Sequence, residues 1–421
     1  APAPSFRPDP LRPHSRARAL RILMLAHRIP YPPHTGDKTR AFHIARHLSR
    51  RHDLTLGFLV DDERDLGGVD ALRRLVPDLL FDRLRKPVSL ARGLAGLVRG
   101  GTVTLPYFYS GGLARQVERR SREAGFEVVY ASSTAMAQYA PADVPLVMDF
   151  VDVDSDKWRQ YAEHRRAPVS WLYRTEGRRL QSCEEEIARR ARVCLLATDV
   201  EEQQLRSFAS WAHTAVIPNG IDSVYYAPQL EEPSEPAGVI FTGAMDYLPN
   251  IDAVQHFCAD ILPLVRREVP ETVFYIVGLN PSADVRRLGG QPGVVVTGAV
   301  PDVRPYYARA AVCVAPLRIG RGIQNKVLQG MAMGLPVVAS PLAARGVRGE
   351  PGLHFEVAEV AAAFASHVVR LLQRAEIRRD LGRAGRAWVE AHSTWEHNLA
   401  GLEVLLSRAA GRPEPAGQSA G

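Results

Sequence analysis

Lysine is almost missing from this sequence: Lys38, Lys86, Lys157 and Lys326 are the only four among 53 cationic residues, so arginine carries nearly all the positive charge. Three of the four, Lys38, Lys157 and Lys326, fall in segments that other arguments single out below. Cysteine is equally scarce. Cys183, Cys194, Cys258 and Cys313 are far apart and form no Cys-x-x-Cys pair, which excludes a disulfide framework or a zinc ribbon. Cys194 and Cys313 sit inside the apolar runs VCLL and AVCVA, so buried free thiols in a reducing, cytoplasmic compartment are expected. No apolar run approaches the ~20 residues that span a bilayer. No internal repeat of solenoid length is visible either.

What is present is ordinary globular composition, 46% hydrophobic and 24% charged, over 421 residues. That length exceeds one core and predicts two domains of roughly 150–200 residues each. The net charge of +7 admits nucleic acid, an anionic membrane surface or phosphorylated ligands as partners. The arginines are spread along the chain without a recognition motif, so nucleic acid is not an expected partner. Peripheral contact with an anionic membrane, on the inner face of the plasma membrane, remains one expectation.

Short Val/Ile/Phe runs alternate with helical stretches almost throughout. Strands are predicted at 21–27, 53–60, 126–132, 145–151, 192–198 and 214–220, with a helix over about 38–51. The acidic, proline-rich stretch 227–237 reads as a linker, and the alternation restarts at 238–243, 271–278, 293–298, 311–316 and 335–340. Continuous apolar strands separated by helices predict parallel sheets covered on both faces. The fold class is therefore α/β: two Rossmann-like, doubly wound parallel-sheet domains facing a central cleft, with ligands at the carboxyl ends of the strands. A disordered leader over 1–19 and a disordered tail over 409–421 are expected from composition.

Three segments carry chemistry. In YPPHTGDKTRAFHIARHL (31–48), Gly36 precedes a helix whose first amides suit an anion, and Lys38 and Arg40 add charge; a capped turn with surface cations is the alternative. His43 and His47 are one turn apart there but lack a third ligand, so solvent-facing histidines are expected. In PLVMDFVDVDSDKWRQY (145–161), four aspartates crowd the end of a strand: Asp149, Asp152, Asp154 and Asp156. One is expected to serve as base or ligand and the others as turn and helix-cap residues. In RIGRGIQNKVLQGMAMGLPVVAS (318–340), a helix over Ile323–Met333 packs Ile323, Val327 and Met331 inward, and Gly334 ends it. Arg318, Arg321, Gly322, Asn325 and Lys326 gather at its start, with Gln329 about 6 Å further along the axis. That arrangement suits a nucleotide diphosphate with its ribose.

Together with FTGAMDYLPNIDAV (241–254) and VTGAVPDVRPYYARA (296–310), these segments resemble glycosyltransferase family 4. More narrowly, they are similar to the sugar transferases associated with exosortase/PEP-CTERM exopolysaccharide systems. The resemblance, over roughly 20–405, implies a GT-B fold: an acceptor-side domain at 20–226, a nucleotide-sugar-binding domain at 238–386, and a C-terminal helix at 387–408 crossing back to the first domain. It implies a retaining transferase that needs no metal and no cofactor, the nucleotide-diphosphate sugar being a substrate. The acceptor implied is a saccharide or a lipid-linked glycan. Gly36, Lys38 and Gly243 join the donor-binding residues Arg318, Arg321, Gly322, Asn325, Lys326 and Gln329. The two glutamates that the family separates by seven intervening residues correspond here to Arg321 and Gln329, so weaker nucleotide affinity is expected. The family's histidine before Asp152 is absent, and Asp152 is the expected acceptor-side carboxylate. A catalytically weakened scaffold with a binding or regulatory role in polysaccharide assembly is the alternative.

Overall fold

A computed structural model describes residues 19–33, 35–163, 165–228, 235, 237–320 and 324–413. The chain forms two compact units: the described residues up to Ile217 together with those from Leu399, and Pro218–Asn398. The expected leader up to residue 18, the expected tail from 414, and residues 229–234 and 236 of the expected linker lie outside the described residues.

The first unit is a seven-stranded sheet of β1 (Arg21–Ala26), β2 (Asp53–Val60), β3 (Asp78–Arg83), β4 (Val128–Ser132), β5 (Leu146–Val151), β6 (Val193–Leu196) and β7 (Thr214–Val216). Their order is β3-β2-β1-β4-β5-β6-β7, and every pairing is parallel. After Arg21 every residue of β1 is buried, because helices cover both faces of a central parallel strand. Sequence reasoning missed β3, whose Asp78, Asp82 and Arg83 break up the apolar run; as an edge strand it is only partly buried.

The second unit holds β8 (Gly238–Thr242), β9 (Val273–Val277), β10 (Val294–Gly298), β11 (Val312–Ala315), β12 (Val337–Ala339) and β13 (Glu356–Val357). They run in the order β10-β9-β8-β11-β12-β13, again parallel. The strand order reverses between β1 and β4 in one sheet and between β8 and β11 in the other. In doubly wound sheets such reversals open a crevice at the strands' carboxyl ends.

The helix after β11 spans Asn325–Ala332, and Ile323, expected to begin it, lies outside the described residues. Val327 and Met331 are fully buried, and a Cβ on Gly330 would sit 2.8 Å from Cys313 Sγ, so the helix rests closely on β11. Its end is a Schellman closure. Gly334 has φ +73°, its amide donates to Met331 O at 2.9 Å, and the Leu335 amide donates to Gly330 O at 3.0 Å.

Candidate active site

In the second unit, the loops after β8 and β11 meet at the strand-order reversal, and Lys326 stands between them. Its ammonium donates to Asn250 Oδ1 and Gln324 Oε1, each at 3.2 Å, and lies 5.0 Å from the Phe241 ring centroid. Asn250 is in turn fixed by donating Nδ2–H to Ala244 O at 2.8 Å. Lys326 is buried, and among the described residues no carboxylate pairs with it. Burial pushes its pKa down to about 8, the Cys313 side chain opposing slightly. A buried cation without a counter-charge is costly, and an anionic ligand removes that cost.

Gly243 directly follows β8 and lies against Asn250. A Cβ there would lie 2.6 Å from Asn250 Nδ2, so the glycine leaves room for the amide that holds Lys326. Gly278 makes the same loop tight: its hypothetical Cβ would fall 1.7 Å from Gly243 O. Asn325 adds an unsatisfied acceptor, since its buried Oδ1 has no hydrogen-bond partner among the described residues. The other members behave differently. Arg318 is exposed and already bound to Asp252 through two bonds of 3.0 and 2.6 Å. Arg321 and Gly322 lie outside the described residues. Gln329 uses both ends of its amide inside the unit. Its Oε1 accepts from Tyr307 Oη at 3.1 Å, and its Nε2 donates to Tyr226 Oη at 3.0 Å. Neither tyrosine was legible in the sequence, because Tyr226 comes from 103 residues upstream.

In the first unit, Gly36, expected just before the helix, is instead the first residue of the helix Gly36–Ser49. That helix start is already faced by a negative group. Asp37 accepts from Thr35 Oγ1 at 2.6 Å and lies 3.3 Å from His27 Nε2 and 3.5 Å from Arg28 Nη1. Burial alone would raise the Asp37 carboxyl; His27 and Arg28 outweigh it and hold it well below the usual carboxylate range. Lys38, expected to point at a phosphate, is instead buried against Asp65 at 2.5 Å. Arg40 also turns inward. Its guanidinium forms a two-pronged pair with Asp149 at 2.8 and 3.0 Å and donates to Ile217 O at 2.8 Å. Of the histidines of this helix, His47 is not solvent-facing but buried 2.7 Å from Glu403. His43 is half-buried, and burial first, with Arg46 second, pushes it down to about 3.

The four aspartates separate cleanly. Asp149 is fully buried, held by Arg40 and by the Tyr130 hydroxyl. Asp154 opens the helix Asp154–Glu163 and accepts from Thr134 Oγ1 at 3.2 Å, and Asp156 lies in the same first turn. Asp152 stands between them, partly exposed, just past the end of β5. The register of β5 against β6 shifts between Asp149 and Val151, and Val151 takes φ +66°, a strained value for a β-branched residue.

Two residues that sequence reasoning missed hold this segment. Glu201 accepts the Val153 amide at 2.7 Å and Glu184 accepts the Ser155 amide at 3.0 Å, so both cap the following helix from other helices. Burial, then Asp152, pushes Glu201 up to about 7; burial also pushes Glu184 up to about 8, with Asp154 adding to it. Among the described residues no group of three or more His, Cys, Asp or Glu side chains is arranged to hold a metal ion.

Residues 236–374 match the family model described as Glycosyl transferases group 1, about a third of the chain. No curated protein matches the chain by sequence. Among solved structures, the sucrose-phosphate synthase of Thermosynechococcus elongatus is 17% identical over 90% of this chain and 96% of that one, with a TM-score of 0.65. Anabaena HepE in complex with UDP is 15% identical over 92% of this chain and 100% of its own, with a TM-score of 0.66. WaaG, a glycosyltransferase involved in lipopolysaccharide biosynthesis, is 13% identical over 91% of this chain and 99% of its own, with a TM-score of 0.60. The two Rossmann-like parallel-sheet units are those of the GT-B fold. The family match and the shared fold together support a GT-B glycosyltransferase.

Proposed function

We propose that the chain is a retaining glycosyltransferase, close to family 4, that moves a sugar from a nucleotide-diphosphate donor to a saccharide or lipid-linked acceptor in exopolysaccharide or cell-surface glycan synthesis. The observation that carries the reading is Lys326: buried at the strand-order reversal of the second unit, beside the unsatisfied Asn325 Oδ1, with no carboxylate pairing it among the described residues. A diphosphate supplies the missing negative charge. HepE, of the same fold, is described in complex with UDP-glucose, which agrees with this reading.

In the reaction, the bond from the anomeric carbon to the diphosphate oxygen breaks and its electron pair leaves with the nucleoside diphosphate. Lys326 stabilises that charge better than it stabilises the intact donor. The acceptor hydroxyl forms the new bond on the same face, and its proton passes to a basic oxygen. Asp152, partly exposed beside a strained turn, is assigned to the acceptor side. No metal or cofactor is assigned a role.

Calorimetric titration with UDP and GDP, native against Lys326→Ala, tests the donor site. Micromolar binding that the substitution weakens is the expected result; absence of binding by both nucleotides sinks the reading. A second reading, a nucleotide-binding scaffold with little turnover, is favoured by one observation: the Gln329 amide is spent on Tyr226 and Tyr307. Sugar transfer that is lost in Asp152→Asn eliminates it.

A further inference from the structure

The helix Lys86–Val98 is built inside out. Its buried residues are Ser89 and Gly93, while Val88, Leu90, Leu94 and Val98 are exposed, Val98 to 87%. At about 100° per residue, Leu90, Leu94 and Val98 fall on one face with Pro87 between them and Ala91 and Ala95 alongside. That outward face carries no charged side chain.

Packing explains the inversion. A Cβ on Gly93 would lie 2.9 Å from Val103 Cγ1, and one on Gly96 would lie 2.5 Å from the Thr102 carbonyl oxygen. Only a face of small residues can dock this closely, so the large apolar side chains are left pointing away. The helix is also held firmly: Arg179 donates to Leu97 O and Gly101 O at 2.8 Å each, and Arg92 donates to Tyr109 O. A contiguous exposed apolar face on a fixed element marks a surface that something covers.

The surrounding charge names the occupant. From Arg83 to Val117 the chain contains six cations, Arg83, Arg85, Lys86, Arg92, Arg99 and Arg115, and no Asp or Glu. Arg85 and Lys86 are exposed at one end of the helix and Arg99 at the other. A second copy of this chain would bring the same cations face to face across a twofold axis. An anionic lipid surface instead offers an apolar interior to the leucines and phosphates to the arginines. No helix among the described residues is long and apolar enough to cross a membrane, so the contact is one that lies in the interface.

We propose that the outward face of Lys86–Val98 docks the protein onto an anionic bilayer. It gives the proposed lipid-linked acceptor a place to be presented and rests on that reading for its purpose. Its test uses no nucleotide, so either idea can fail alone.

The full chain is sedimented with vesicles of phosphatidylcholine alone and of phosphatidylcholine with phosphatidylglycerol. Native protein is expected to pellet only with the anionic vesicles and to be released by about 0.5 M salt. Leu90→Glu/Leu94→Glu is expected to weaken binding at least about tenfold, while melting temperature and UDP titration stay at native values. Should that variant unfold, Lys86→Glu/Arg99→Glu reads the same surface through its charges. The proposal is overturned if native protein stays in the supernatant, if the variants pellet as well as native, or if light scattering shows a native dimer that Leu90→Glu/Leu94→Glu converts to monomer.

Discussion

The ammonium of Lys326 lies 3.2 Å from the amide oxygen of Asn250, in a buried place where no described carboxylate answers its charge. The amide orients the lysine without neutralising it, and the first prediction follows from that. Lys326→Met fills the same volume without a charge and is expected to stabilise the ligand-free protein by about 1–3 kcal/mol. The folded-state pKa of Lys326 is lowered from 10.5 to about 8, so the gain is full below pH 8 and shrinks as the pH rises toward 10.5. Chemical denaturation across that range checks it. UDP is expected to raise the transition of the native protein and to leave that of the variant unmoved.

Binding of an anion raises the pKa of Lys326 back toward its ordinary value. Near pH 8, UDP binding is therefore expected to take up protons, and affinity is expected to fall as the pH rises above about 8. Calorimetry in buffers of different ionisation enthalpy reads the proton count directly. A count of zero at pH 8 would remove Lys326 from the phosphate site.

Gly243→Ala places a methyl 2.6 Å from Asn250 Nδ2 and displaces the amide that orients Lys326. Nucleotide affinity is expected to drop about tenfold, or about 1.4 kcal/mol, with a smaller change in melting temperature. Unchanged affinity would show that the Asn250 contact is incidental.

Asp149 and Asp152, three residues apart, are expected to fail in different assays. Asp149→Asn breaks the fully buried pair with Arg40 and costs about 3–5 kcal/mol of stability. Asp152→Asn is expected to fold normally, bind UDP, and lose about 10²–10⁴-fold in turnover. Equal melting temperatures for the two variants would refute the division.

Glu184 has a folded-state pKa raised from 4.5 to about 8, so its contribution is fully present below pH 4.5 and is lost as the pH rises to about 8. Native protein is expected to lose melting temperature over that interval relative to Glu184→Gln, in which nothing titrates at this position. Parallel curves for the two proteins would falsify the assignment.

Much of this protein was legible before folding. Short-range rules act within a few residues, so VVYAS, GVIFT and VCVA read as buried parallel strands, and Gly334 read as a helix terminator that now shows φ +73°. The clustering of Asn325 and Lys326 at one helix start was legible for the same reason.

What the sequence left open was which cations keep their charge available. Lys38, Arg40 and Arg318 looked like equals of Lys326 in composition, but each found a carboxylate elsewhere in the chain: Asp65, Asp149 and Asp252. Arg40 and Asp149 are 109 residues apart, and no local pattern encodes that meeting. The helix Lys86–Val98 makes the same point from the other side. Its composition looks like core, and only the close approach of Gly93 and Gly96 to Val103 and Thr102 decides that the leucines face out. Periodicity and capping are properties of a segment, whereas charge compensation and the choice of buried face depend on what the rest of the chain brings against it.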